Sequence, residues 1–378
     1  MIPILFAKNE TDFTHNGIGR LTDCISCEVT EERNGVYELE MEYPITGRGF
    51  SALMSGGIIG VIHDDNYDIQ PFDIYSTSAV IDGVVTVYAH HISYRLNNII
   101  LEPYTASTAS GAVAGISTHS VNTNPFTFST DKTVTANFAI VKPQSVRQIL
   151  FGQEGSLLDI YGPADFKFDK FSVAMLADRG TATGVTIRYG KNMTNLEWVK
   201  DDSEAYSAMA PYWQSGNEVV YPSEIIVTPT AAVSPVVPVP MDITDQFQSK
   251  PTAAQVKSTA KALLDKTQPW KVSDNIKIDF SALWQTTDYE ELAAIQKVGL
   301  CDTVSIYWTD MGIVSENQKV IRVVYDVLAE RFTELEVGTV NRKYVAISDG
   351  TPEATKRWVD HQGYLTLDTL PIYNGGVS

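Results

Sequence analysis

The sequence predicts an α+β fold that is mostly β, with two β-rich domains separated by an α+β insertion. Three observations carry this expectation. Residues 28–44 read as an amphipathic hairpin with Asn34-Gly35 at its turn. A second hairpin signal, Asp82-Gly83, lies between Ser78–Ile81 and Val84–Tyr88. Helical signatures are confined to short stretches within 143–162 and to two longer ones between 251 and 299.

Met1-Ile2-Pro3-Ile4-Leu5-Phe6 lacks a basic start and meets Lys8 and Glu10 early. It reads as a first strand rather than a secretory signal, with synthesis expected in a cytoplasm. In the first hairpin, Asn34-Gly35 is expected to supply both positive-φ positions of a type I′ turn. The strand that follows sets Glu38, Glu40 and Glu42 on one face against Tyr37, Leu39, Met41 and Tyr43 on the other. The acidic face is expected outside and the apolar face inside, and Pro44 ends the strand because it cannot donate to a ladder. Ile58–Ile62, Gln70–Tyr75 and the Asp82-Gly83 hairpin add extended pieces, which together suggest a sheet closing on itself, a small barrel or a sandwich.

Residues 105–137 are rich in Ser, Thr, Ala, Gly and Asn and are expected to form loops and short edge strands. Pro143–Leu150 predicts a short helix with proline in its first turn, and Gly155–Gly162 a second between glycines. Strands return at Phe171–Leu176 and Gly184–Tyr189, joined through Asp178-Arg179-Gly180. Pro229, Pro235, Pro238 and Pro240 among valines indicate an extended crossover, or an edge strand, or the two in succession.

Pro251–Lys266 is an amphipathic helix with Val256, Ala260, Leu263 and Leu264 on one face. Thr287-Asp288-Tyr289-Glu290 is a capping box for a helix ending near Gly299. Strands are expected at Ile276–Phe280, Thr303–Trp308, Ile313–Ser315 and Val320–Val327, with a closing edge at Leu335–Gly338. The resulting organisation is a first domain over 1–98, completed by about 206–240, an insertion over 99–205, a second β domain over 241–345, and a tail over 346–378.

Composition narrows the function. No apolar run reaches the roughly 20 residues of a membrane-spanning helix. A formal charge of −18 argues against a general nucleic-acid binder, since phosphate contacts need Lys and Arg. The same charge suits a passage through which DNA slides without sticking. Cys24 and Cys27 have zinc-like or redox-like spacing, yet no second pair exists and Cys301 stands alone. Leu21–Thr30 reads as a strand, which would put residues three apart on opposite faces, so free thiols are expected.

Phosphate-loop, Gly-x-Ser-x-Gly and His-Glu-x-x-His patterns are missing. His90 and His91 are adjacent on a strand and point to opposite faces, so a structural role is expected. His63-Asp64-Asp65-Asn66 reads as a solvated turn. Asp159, Asp165, Asp169 and Asp178 are expected in turns and caps rather than as a glycosidase pair. Trp198, Tyr206, Tyr212 and Trp213 are read as packing surface rather than a sugar site. The expectation is therefore no catalytic, cofactor-binding or metal-ligating residues.

The hairpin at 28–44 resembles the N-terminal signature of siphophage tail-associated hub proteins, also called prophage tail endopeptidases or tail-associated lysins, a family similar to the baseplate hub of T4-like phages. Ala89–Leu96, Pro143–Leu150 with Gly155–Asp159, Arg179-Gly180 with Gly184–Met193, Pro240-Met241-Asp242 with Phe247 and Pro251-Thr252, and Leu300–Val304 resemble the same family in the same order. The resemblance implies two tube-like β-barrel domains per chain and a trimeric ring adapting a sixfold tail tube to a threefold tip around the DNA path. It implies a virion tail-tip location, synthesis in the bacterial host, and as partners the distal tail protein, the tape-measure protein and receptor-binding proteins. Some relatives carry a C-terminal hydrolase. Such a module is not expected in this sequence, so a structural role is preferred over a wall-cleaving enzyme or a carbohydrate-binding module.

Overall fold

The computed structural model describes residues 1–63, 68–151, 155–188, 195–201, 205–247, 249–270, 273–279, 298–309 and 313–338. They divide into two compact units, one formed by Met1–Thr181 with Tyr325–Arg331 and the other by Ala182–Val324 with 332–338. The expected helix at Thr287–Glu290, the Asp64–Asn66 turn, the Gly190–Met193 motif and the 346–378 tail lie outside the described residues.

The first unit is built on an antiparallel sheet of β1 (Ile4–Phe6), β2 (Gly19–Arg20), β3 (Ser26–Glu32), β4 (Tyr37–Pro44), β5 (Ile58–Val61), β6 (Gln70–Thr77) and β7 (Val84–His91). Its spatial order is β3-β4-β7-β6-β5-β1-β2. Helix α1 (Phe50–Met54) links β4 to β5. Strand period two places whole rows on one face. Val29, Leu39 and Ala89 form one row, and Cys27, Met41 and Val87 the next. All six are buried, each worth about 1–3 kcal/mol of apolar transfer according to size. The opposite face carries Glu28, Glu40 and Tyr88 in one row and Thr30, Glu38 and His90 in another. Glu40 and Glu42 are exposed and Glu38 half-buried, which is the placement expected of the acidic face.

The fold is mostly β, and among the described residues the hydrogen-bonded path is not seen to close on itself. One expectation is corrected. The Asn34-Gly35 turn is not type I′, because Asn34 alone takes a positive φ, 54°. Gly35 N–H donates to the Glu32 carbonyl at 3.1 Å, and Glu32 N–H to that of Val36 at 2.7 Å. At Asp82-Gly83, by contrast, both residues have positive φ, 51° and 80°, as a type I′ turn requires.

After β7 a 3₁₀ turn (Ile92–Asn98) leads into β8 (Ile100–Leu101), β9 (Thr105–Thr108), α2 (Ala109–Thr118), β10 (Thr127–Thr130), β11 (Thr135–Ala139), β12 (Gln144–Ser145), α3 (Val146–Leu150), α4 (Leu157–Tyr161), β13 (Asp165–Asp169) and β14 (Ser172–Leu176). Strands β10, β14 and β13 form a second sheet, with β10 parallel to β14. Helix α2 stands where loops and edge strands were expected. Thr108 caps it by accepting from Gly111 N–H, and Ala109, Ala112, Val113 and Ile116 bury one stripe. The helix predicted from Pro143 begins instead at Val146, with Ser145 and Gln148 making a capping box.

In the second unit, β15 (Ala182–Arg188), β16 (Asn195–Asp201), β20 (Ser273–Asp279), β21 (Thr303–Trp308), β22 (Ile313–Asp326) and β23 (Arg331–Val337) pair in the order β16-β20-β23-β22-β21-β15. The two strands expected at 313–315 and 320–327 are one, β22. Glu334 on β23 binds Lys277 of β20 at 3.0 Å and Arg322 of β22 at 2.9 Å. A smaller sheet of β17 (Ala208–Ser215), β18 (Glu218–Val220) and β19 (Pro238–Asp242) packs on α5 (Ala253–Thr267) through Met209, Trp213, Val256, Ala260 and Leu264. Strand β19 lies at that sheet's edge, where its prolines leave no ladder donor missing.

Candidate functional site

The polar residues that the first sheet turns inward gather where the β3–β4 hairpin meets the β13–β14 hairpin. Asn34 is buried, donates through Nδ2 to the Ala164 carbonyl at 2.9 Å, and accepts from Phe166 N–H at 2.6 Å. Arg33 Nε donates to Asp165 Oδ1 at 2.6 Å, and Arg179 N–H to Asp165 Oδ2 at 3.2 Å. The Arg179 guanidinium binds both oxygens of buried Glu31, at 2.6 and 3.3 Å. Such forked, charge-assisted pairs are stronger than neutral bonds and fix geometry as well.

Glu31 lies 3.9 Å from His63 Nε2, which is 2.9 Å from Tyr37 Oη. The Tyr37 ring stacks on His91 with centroids 4.1 Å apart. Gln70 completes the seam. Its Nε2 donates to Asp169 at 2.9 Å, while its Oε1 accepts from Lys170 N–H at 3.0 Å and faces His91 Nε2 at 3.3 Å. Burial, then the positive fields of His63, Arg147 and Arg95, hold the His91 pKa well below the usual histidine range.

On the other side of β7 the rings form a ladder. His90 lies between Tyr75 at 3.7 Å and Tyr94 at 4.3 Å. Arg147 covers Tyr94 at 4.1 Å and Phe151 at 5.1 Å, and donates to the Gly35 carbonyl at 3.1 Å. Burial lowers the Arg147 pKa, opposed by Tyr94 and Glu38, and a guanidinium stays charged throughout. On the acidic face, desolvation and then the Glu28 and Glu42 carboxylates raise the pKa of Glu40.

Asp165 and Asp169 thus meet on the seam, Asp165 as partner of Arg33 and Asp169 as partner of Gln70. Asp159 accepts from Gly155 N–H beside α4, and Asp178 from Gly180 N–H in a turn. His63 is buried in the seam rather than solvated in a turn. The strand expected over Leu21–Thr30 begins only at Ser26, so the opposite-face argument fails for Cys24. Its thiol donates to the Ser26 carbonyl at 3.2 Å and lies beside that of Cys27. Burial and that neighbour push the Cys27 pKa well up, and none of the three cysteines is in a disulfide. Tyr206 packs against the core that buries Trp213, so these two do not line an open groove, and the Trp198 side chain lies outside the described residues.

Sequence reasoning missed Arg33, Gln70, Arg147 and Arg179 as fastening residues. The Arg179–Glu31 partners are 148 positions apart and the Arg33–Asp165 partners 132, and no local pattern signals such pairs. The seam's chemistry is that of a fastener. Among the described residues its hydroxyl–imidazole pair is Tyr37 with His63, sealed at 3 % and 4 % exposure.

No protein-family model and no curated protein matches this sequence. Solved structures do. The prophage tail protein gp18 from Listeria monocytogenes EGD-e superposes with a TM-score of 0.58 at 14 % identity, over 96 % of this chain and 100 % of that one. The 43 kDa tail protein of prophage MuSo2 from Shewanella oneidensis gives 0.56 at 12 % identity, over 89 % and 97 % of the two chains. The tail protein from Neisseria meningitidis MC58 gives 0.53 at 8 % identity, over 90 % and 96 %. At these identities the likeness is one of fold, and the tail-protein resemblance drawn from the sequence motifs is met at that level.

Proposed function

We propose that this chain, with the fold of the prophage tail proteins, is a structural hub at the tail tip or baseplate of a phage tail or tail-like particle. The observation that carries the reading is the extent of the likeness. The fold shared with the Listeria tail protein runs over 96 % of this chain and leaves none of that chain over. The ordered motifs from the 28–44 hairpin to Leu300–Val304 point the same way independently.

In this reading three copies form a ring that adapts the sixfold tube to a threefold tip. The chain contacts distal tail, tape-measure and receptor-binding proteins, and it surrounds the DNA path. A formal charge of −18 supports a wall that repels DNA rather than gripping it. The role is structural, and the seam of Glu31, Arg33, Gln70, Asp165 and Arg179 serves it by fastening two sheets.

Sedimentation and electron imaging of the purified protein test this reading. The expected result is a threefold ring that shows no retention on duplex DNA at physiological salt. A strict monomer at high concentration that does not bind the distal tail protein would sink the proposal. So would wall degradation abolished by a single polar substitution.

A further inference from the structure

His91 ends β7 and caps the 3₁₀ turn Ile92–Asn98, its Nδ1 accepting from Ser93 N–H at 3.3 Å. An atom that accepts there carries no proton, so the ring's single proton sits on Nε2, which donates to Gln70 Oε1. The neutral ring is thus satisfied at both nitrogens. The same Gln70 oxygen accepts from Lys170 N–H at the β13–β14 turn, joining the cap of one sheet to the edge of the other.

We propose that His91 is an acid-sensitive latch: a proton added at Nδ1 sets two donors face to face and expels Ser93 N–H, and the charged ring, turning out of its buried site, draws its Nε2–H away from the Gln70 oxygen that holds the β13–β14 turn.

Apart from the π face of the stacked Tyr37 ring, the surroundings give the added charge no relief. Tyr37 stacks on the ring from β4 and Phe72 meets it edge-on from β6. Cationic or protonatable groups disfavour the charge from three further places, His63 after β5, Arg95 in the 3₁₀ turn and Arg147 on α3. The carboxylates of this network, Glu31 and Asp169, contact His63 and Gln70 instead. Burial and these charges lower the folded-state pKa beneath its open-state value of about 6.5. The latch is therefore fully closed above that value and weakens as pH falls through and below it. With one proton bound on opening, the opening equilibrium rises about tenfold per pH unit in that window.

Hydrogen exchange on the intact protein from about pH 7.5 to about pH 5, corrected for intrinsic rates, reads this directly. The Ser93 and Lys170 amides are expected to open about tenfold more per unit below pH 6.5, with the β20–β23 ladder flat. Equal changes at all these amides overturn the proposal. His91→Asn keeps an acceptor for Ser93 N–H without a titrating ring and is expected to abolish the slope. Persistence of the slope in that variant also overturns it. If His91→Asn does not fold, ring-nitrogen shifts of wild-type His91 decide. Its protonation must coincide with loss of Ser93 protection, and an ordinary midpoint with Ser93 still protected rejects the latch.

Discussion

At Asn34 two demands fall on one residue, a positive φ of 54° and two hydrogen bonds to the Ala164–Phe166 backbone. Substitutions separate them. Asn34→Gly keeps the backbone freedom and loses the bonds, leaving a buried carbonyl and N–H to find new partners, a loss of about 2 kcal/mol. Asn34→Ala loses the bonds and keeps a Cβ in the left-handed region without the polar side chain that eases it there, which leaves it about 1–2 kcal/mol below Asn34→Gly. Urea unfolding should rank wild type above Asn34→Gly and Asn34→Gly above Asn34→Ala. Equal midpoints for wild type and Asn34→Gly would mean that the tertiary bonds contribute nothing. The sequence marks Asn34-Gly35 as a turn because Asn and Gly tolerate positive φ. It cannot show that the Asn34 side chain reaches 130 positions along the chain, and that reach accompanies a turn other than type I′. The histidines show the same limit: a structural role for His90 and His91 follows from strand alternation, whereas the Ser93 cap and the Gln70 contact depend on the folded geometry.

At the scale of elements, strands were legible where one face is apolar and the other polar, as in β4, and hidden where residues are small. Helix α2 is the instructive case. Its buried stripe of Ala109, Ala112, Val113 and Ile116 has helical spacing, but Ser, Thr and Gly between them give the composition of a loop. Gly115 within it explains one of those glycines, since an added Cβ would lie 2.4 Å from the Tyr104 ring. That ring is itself pinned by a hydrogen bond from its hydroxyl to the Ala112 carbonyl at 2.7 Å. Helix propensity alone would make Gly115→Ala stabilising by about 1 kcal/mol. Overpacking against a fixed ring costs about 1–3 kcal/mol, so the net expectation is a loss. A lowered melting temperature supports this account, and a raised one would show that Tyr104 swings aside at little cost. On the acidic strand the directly opposed Glu28 and Glu40 carry a small penalty for like charge.

Across the whole molecule the order of strands could be read along the chain, but their assembly could not. Residues Tyr325–Arg331, late in the sequence, belong to the first unit. Val327 is fully buried in that unit's core, and its N–H donates to the Cys27 carbonyl at 2.9 Å. Its own carbonyl accepts from the Met1 ammonium at 2.7 Å, which ties the chain start to a position 326 residues away. A reading by local periodicity assigns Val320–Val327 to the second domain because it is continuous with strand signals there. The structure instead uses its end to complete the first core, which makes that unit discontinuous in sequence and its closure a long-range event. Val327→Ala tests the point. Removing two buried methyl groups costs about 2 kcal/mol, and the loss should register in residues distant in sequence but neighbouring in space. Hydrogen exchange is therefore expected to rise in the β3–β4 ladder from Ser26 to Glu42, about thirtyfold at that energy, with little change in the β16–β20 ladder. A change confined to β22 and β23 would show that the segment stabilises only its own hairpin, and the first unit would then have to be considered complete by residue 181.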